Sequence, residues 1–353
     1  MMHFLLLAFS LTPTLPFSSL FSSYESQFAV HIANRKKLTY RIIASPATEP
    51  MALQIAKLSP DRFTYHPTNW DKFPDGTDDI TIGGLSPYNL LSGENILFLG
   101  SFHNNDVTLS QFQVLITLSR SFIKSLTVVL PFYPVGTMER VTKEGTVATA
   151  ASYAHMFSSL PSCGAPTRLM VYDLHTLQNR FYLQGNCIAS LQTTIPLLRK
   201  KLLNTKIDCV AFPDDGAAKR FGEMFEDSNL EVVICGKTRD GESRTVKIQE
   251  GDAKNKNVVI VDDLVQTGGT LFECGKALLD AGASSVSAYC AHAVFPKSSY
   301  TRFDAGGDRH VFEKFWVSNS IPTITNVLPT AGGVFEVLDI YDELVIKDLD
   351  YFS

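Results

Sequence analysis

The chain has 353 residues, 45 % of them hydrophobic and 19 % charged, with a formal net charge of −5. This is the composition of a globular protein long enough for two domains and able to bury a core without disulfide staples. With no long basic run, a dedicated nucleic-acid binder is excluded, although a local basic loop can still hold a phosphate on an acidic protein.

The first 28 residues read MMHFLLLAFSLTPTLPFSSLFSSYESQF. The apolar core Phe4 to Phe9 is too short to span a bilayer, and it lacks the basic flank of a good signal peptide. Residues 1–38 are therefore set apart as an organelle leader or a disordered extension. From Leu38 the texture changes. Strand-length apolar runs occur at 41–45, 80–84, 95–100, 125–132, 168–174, 208–213, 231–236, 257–263, 285–292 and 315–320. Segments of helical period lie between them, near 50–58, 109–122, 144–159, 190–203, 216–226 and 269–281. Branched-rich strands separated by helices predict an α/β fold with largely parallel sheets. The six cysteines, Cys163, Cys187, Cys209, Cys235, Cys274 and Cys290, form no CxxC pair and sit mostly in apolar runs. They read as buried reduced thiols.

Two strands end alike. RLMVYDL runs into Asp173, and NVVIVDD runs into Asp262 and Asp263. One reading is an internal duplication, each half presenting residues at the carboxyl end of a central strand, where open α/β sheets bind ligands. After the second pair comes Thr267-Gly268-Gly269-Thr270, followed by a helical segment. Two glycines allow a tight turn, and N–H groups at a helix start with two threonine hydroxyls make a phosphate nest. The carboxylates just before it would repel a phosphate but accept hydrogen bonds from sugar hydroxyls. Phosphate at one end and a diol at the other describe a ribose 5-phosphate.

The stretch VVIVDDLVQTGGT resembles the phosphoribosyl pyrophosphate motif shared by type I phosphoribosyltransferases and phosphoribosyl pyrophosphate synthases. Other segments choose between the two. VYDLHTLQNRF (171–181), AFPDDGAAKRF (211–221) and GKTRDGESRTVKIQEGD (236–252) resemble the synthases' histidine segment, pyrophosphate loop and flexible catalytic loop. FPDGTDDI (73–80) sits where they carry a nucleotide loop, and HAVFPKSS and PFYPVGTMER look like the plant-type class II enzymes. The resemblance spans roughly 40–345 in the family's order. It implies two tandem type I phosphoribosyltransferase-like domains with largely parallel sheets flanked by helices, at 39–188 (joined by 331–353) and 189–330.

The implied reaction carries the diphosphoryl group of ATP, or another nucleoside triphosphate, to the 1-hydroxyl of ribose 5-phosphate, giving 5-phosphoribosyl 1-diphosphate and AMP. Such chemistry needs charge neutralisation and positioning. The resemblance implies Lys237 and Arg239 as catalytic cations, with Arg244 and Lys247 adding field, and His175 and Asp214 as ligands of Mg2+. Asp262 and Asp263 would take the ribose hydroxyls, Thr267, Gly268, Gly269 and Thr270 the 5-phosphate, and Phe73 and Asp75 the nucleotide base from a neighbouring subunit of a homo-oligomer. The Arg-Gln pair of class I enzymes is missing from FYPVGTME. That predicts looser base recognition and no dependence on free phosphate. No nucleic-acid or membrane partner is expected, and the location is intracellular, cytoplasmic or organellar. Two alternatives stand beside this reading: a phosphoribosyltransferase that consumes the same product, and a non-catalytic regulatory subunit.

Overall fold

A computed structural model describes residues 37–240, 243–341 and 344–351; the expected leader lies outside them except for its last two residues. The first half runs β1 (Tyr40–Ala44), α1 (Glu49–Leu58), β2 (Phe63–Tyr65), β3 (Thr68–Lys72), β4 (Asp78–Ile82), β5 (Asn95–Leu99), α2 (Asn105–Ser119), β6 (Ser125–Val129), α3 (Thr149–Ser158), β7 (Thr167–Tyr172) and β8 (Cys187–Gln192). The second continues with α4 (Ile195–Leu202), β9 (Cys209–Phe212), α5 (Asp215–Phe221), β10 (Glu231–Asp240), β11 (Ser243–Glu250), β12 (Asn257–Val265), α6 (Gly269–Asp280), β13 (Ser285–Ala293), β14 (Phe315–Ser318), α7 (Pro322–Thr325), β15 (Phe335–Leu338) and α8 (Leu344–Tyr351).

Each half is a sheet with a core on both faces. The first sheet has the order β2-β1-β5-β6-β7-β8, every pairing parallel. The second has the order β11-β10-β9-β12-β13-β14-β15, parallel except for the β10–β11 hairpin. The runs NILFL and CVAF are buried at every residue because successive side chains enter opposite cores. In the first sheet Ile96 and Phe98 face one cluster while Leu97 and Leu99 face another; in the second, Val258 and Ile260 oppose Val259 and Val261. The strand order reverses once in each sheet, between β1 and β5 and between β9 and β12.

The expected elements follow the periodicity, and two of the expected segments are corrected. The segment expected to be helical from 190 begins as β8, and the helix starts only at Ile195, with a proline in its first turn. The segment 236–252, expected as a loop, is largely drawn into the antiparallel β10–β11 hairpin. The chain end crosses between the halves. β15 is the edge strand of the second sheet, whereas Ile340, Tyr341, Val345 and Leu349 pack against Tyr40, Ile42, Leu97 and Met170 of the first. Arg62 and Asp350 seal that contact with an ion pair at 2.5 Å.

Candidate active site

The reversal between β9 and β12 opens a crevice at the carboxyl ends of those strands, the ligand position of open α/β sheets. β9 ends at Phe212, and Asp214 then caps α5, its Oδ1 accepting the Ala217 N–H at 2.9 Å. β12 carries its buried valines and Ile260 up to Asp262 and Asp263. Between these elements lies a cleft of about 810 Å³, with His175, Asp214, Lys219, Arg220, Asp262 and Asp263 on its walls.

His175 reaches this cleft from the other half. β7 stops at Tyr172, and Asp173 turns the chain with φ at 40°, a left-handed conformation strained for a non-glycine. The buried Asp173 carboxylate secures the turn by accepting the Thr193 hydroxyl at 2.7 Å, the Thr194 N–H at 2.8 Å and the Thr194 hydroxyl. The turn delivers His175 Nδ1 to within 2.8 Å of Asp263 Oδ2. Arg220 Nη1 meets the same oxygen at 3.2 Å and donates to the His175 carbonyl at 2.9 Å.

The two neighbouring acids are driven apart. Burial pushes the Asp262 carboxyl up to about 8, and the charge of Asp263 adds to the rise. Burial also works to raise Asp263, but the hydrogen bond from His175 and the charges of His175 and Arg220 outweigh it and hold Asp263 below its ordinary range. His175 is raised in turn, by its hydrogen bond to Asp263 against the effect of burial. With Nδ1 engaged by a carboxylate, Nε2 is the ring atom left for a ligand, the arrangement by which a carboxylate orients a metal-binding histidine. Among the described residues no group of three or more His, Cys, Asp or Glu is placed to hold a metal alone. The donor set fits a divalent metal ion that brings substrate phosphates and water as most of its ligands.

A second hollow, of about 320 Å³, shares His175 and lies between the halves, walled by Phe132, Tyr133, Gln266, His292 and Ile321. His292 is buried there, its Nε2 at 3.0 Å from the Tyr172 carbonyl and its Nδ1 at 2.9 Å from the Ser320 hydroxyl, so it joins β13 to β7. Burial lowers its pKa.

Past Asp263 the chain enters Thr267–Thr270. Gly268 has φ at 71° and no side chain to cap α6, and a Cβ there would lie 2.2 Å from the Phe303 ring. The first turn of α6 contains no acid. Arg309 instead donates to the Thr267 carbonyl at 2.8 Å, with its guanidinium 5.6 Å over the Phe272 ring. No local pattern points to Arg309, because it belongs to a separate loop folded onto this turn. Thr267, Gly268, Gly269 and Thr270 are not in the walls of the carboxylate cleft.

Other expected residues lie apart. Phe73, 50 % exposed, and Asp75 sit at the tip of the β3–β4 hairpin and line neither hollow. Asp75 accepts from the Thr77 N–H and hydroxyl, bonds that lower its pKa. Lys237 and Arg239 fall on β10, opposite Val246 and Arg244 of β11, and the side chains of Lys237, Arg239 and Arg244 are outside the described residues. All six cysteines are free thiols, five of them buried.

The phosphoribosyl transferase domain family matches residues 190–323, the half that holds both acids and the glycine turn. Ribose-phosphate pyrophosphokinase 4 of Oryza sativa is 41 % identical over 308 residues, covering 83 % of this chain and 93 % of its own. The chain belongs to the ribose-phosphate pyrophosphokinases. Within that family, the mitochondrial ribose-phosphate pyrophosphokinase 3 of Spinacia oleracea is 39 % identical, with 84 % of this chain and 73 % of the relative covered. The phosphoribosylpyrophosphate synthetase of Mycobacterium smegmatis shares the fold, with a TM-score of 0.72 at 23 % identity over 89 % of this chain and 98 % of that one. The pyrophosphokinase fold thus accounts for both sheets.

Proposed function

We propose that this chain transfers the diphosphoryl group of ATP to ribose 5-phosphate. The 1-hydroxyl oxygen attacks the β-phosphorus, the bond from that phosphorus to the α–β bridging oxygen breaks, and AMP departs with that oxygen. The observation that carries this reading is the pair Asp262 and Asp263 at the strand-order reversal, joined to His175 from the other half at 2.8 Å. The carboxylates take the ribose hydroxyls. The turn Thr267–Thr270 takes the 5-phosphate, in the positive field of an acid-free helix start and of Arg309.

His175 and Asp214 are the residues that would hold Mg2+, which supplies neutralisation of the phosphate charge when bound. Lys237 and Arg239 stabilise the charge that develops on the bridging and β oxygens. The hollow beside His175 offers space for a nucleoside. Phe73 and Asp75, on an exposed hairpin, serve the base site of a neighbouring copy in a homo-oligomer. We place the protein inside the cell, in the cytoplasm or an organelle; relatives are named as chloroplastic and mitochondrial forms. Among the described residues, no helix is long and apolar enough to cross a membrane.

The test is an assay of the pure protein with ribose 5-phosphate, Mg2+ and a panel of triphosphates, with and without inorganic phosphate, detecting 5-phosphoribosyl 1-diphosphate and the monophosphate. Turnover without free phosphate, with other triphosphates within about tenfold of ATP, is the expected result. With 5-phosphoribosyl 1-diphosphate supplied in place of ribose 5-phosphate, pyrophosphate release that depends on an added base would identify a phosphoribosyltransferase instead. Turnover gained only on adding another subunit would identify a regulatory partner.

A further inference from the structure

Arg220 has no part in the chemistry above, yet it is among the most tightly held cations of the cleft. Its side chain is 15 % exposed, and its guanidinium lies 5.0 Å over the ring of Phe221, a core residue only 1 % exposed. That platform fixes the guanidinium before any substrate arrives. One nitrogen, Nη1, then serves both sides of His175. It donates to the His175 carbonyl at 2.9 Å and to Asp263 Oδ2 at 3.2 Å, and the same carboxylate oxygen meets His175 Nδ1 at 2.8 Å. The backbone and the ring of one histidine are thus tied through two atoms of the second half, although His175 itself follows a strand of the first.

A basic residue on α5 could instead face substrate phosphates directly. Lys219 suits that role better: it is exposed, lines the cleft, and forms no hydrogen bond or ion pair with a described residue. Arg220 is already engaged by groups of the protein.

We infer that Arg220 is a positioning residue, a strap that fixes His175 and Asp263 against each other across the junction of the two halves. The inference rests on the reading of this cleft as the ribose 5-phosphate site. Displacing a reacting group by about 1 Å can cost 10²-fold in rate. Arg220→Met should therefore lower kcat by roughly 10- to 100-fold, and Arg220→Lys, which keeps the charge but loses the planar fork, should recover part of the loss.

Three measurements test the strap. The loss in Arg220→Met combined with Asp263→Asn should equal that of the worse single variant, because both break one unit. Losses that multiply would overturn the inference, since Arg220 would then act independently of Asp263. A higher KM for ribose 5-phosphate at unchanged kcat would also overturn it, by making Arg220 a phosphate ligand. The third measurement needs no turnover. In wild-type protein, at a pH where the ring is neutral, imidazole nitrogen spectra should show His175 as a single tautomer with the proton on Nδ1. In Arg220→Met that signal should broaden or split; an unchanged signal would overturn the strap. If the wild-type protein makes no product, the reaction assignment fails while the spectra still decide the strap.

Discussion

The two halves of the molecule solve the same topological problem in opposite ways. Each parallel sheet reverses its strand order once, and each reversal leaves a crevice at the carboxyl ends of two strands. In the first half, between β1 and β5, the protein closes that place with its own side chains. Thr48 donates to the Leu99 carbonyl at 2.7 Å and pairs with the Ser45 hydroxyl at 2.9 Å. Gln111 accepts the Ser101 N–H at 3.0 Å and donates to the Ser101 carbonyl at 2.8 Å. In the second half, between β9 and β12, the same place is lined by Asp214, Asp262 and Asp263 beside a cleft. A buried carboxylate is costly without partners. A fold that can satisfy one crevice internally has no structural need for two acids in the other, so the contrast marks which reversal is kept for a ligand.

Substitutions around the second reversal should therefore change catalysis, and substitutions around the closed first one should change stability. The largest effect is expected at Lys237. Lys237→Ala should lower kcat by about 10²–10³-fold, by analogy with losing one preorganised donor to developing charge, with both KM values nearly unchanged and no loss of Tm. A kcat near that of the wild type, or a large fall in Tm, would remove Lys237 from the chemistry.

Next come the acids. Converting both Asp262 and Asp263 to asparagine should weaken ribose 5-phosphate binding, at roughly 1.5–3 kcal/mol for the charged hydrogen bond of Asp263 and about 0.5–1.5 kcal/mol for that of the raised Asp262 carboxyl. Titration calorimetry with ribose 5-phosphate measures this directly, and an unchanged affinity would refute the diol assignment. Asp262 alone also carries a pH signature. Its folded pKa is about 8 against an ordinary 3.8, so across that window the folded state binds more protons than the unfolded one. Its contribution to stability is therefore lost as pH rises from about 4 to about 8. The Tm of Asp262→Asn relative to the wild type should climb over that window, and a constant difference would mean that the carboxyl is not raised.

The smallest expected effect is in the first half. Gln111→Leu leaves the buried Ser101 N–H without its partner, at a cost of about 1–3 kcal/mol in stability. Urea unfolding should report that loss while kcat and both KM values of the folded enzyme stay as they were. A change in KM would show that the closed crevice also takes part in binding.

Much of this contrast is legible in the sequence, and the illegible part has a physical cause. NVVIVDD announces a buried strand ending in two acids, and TGGT announces the turn, because each signal lies within one strand or turn. The helix expected at 269–281 is observed as Gly269–Asp280. The edge strands β2, β11 and β15 escape notice, since a strand with fewer neighbours carries a weaker apolar pattern. β8 hides inside a helical period. The partnership of His175 with Asp263 joins residues 88 apart, and Arg309 reaches Thr267 from a distant loop. Pairings of that kind are properties of the packed molecule, and no local pattern encodes them.

The return of α8 to the first sheet has a consequence for how the protein is made. Ile42, Leu97 and Met170 emerge from the ribosome before the second half, but Val345 and Leu349, which pack on the same cluster, emerge only after it. The amino-terminal half must wait, with part of its core uncovered, while the carboxyl-terminal half is translated, although domains ordinarily fold in order of synthesis. A nascent chain stalled before residue 344 would present that apolar surface to chaperones, so the docking of α8 completes a core of the first half only after the second half has been made.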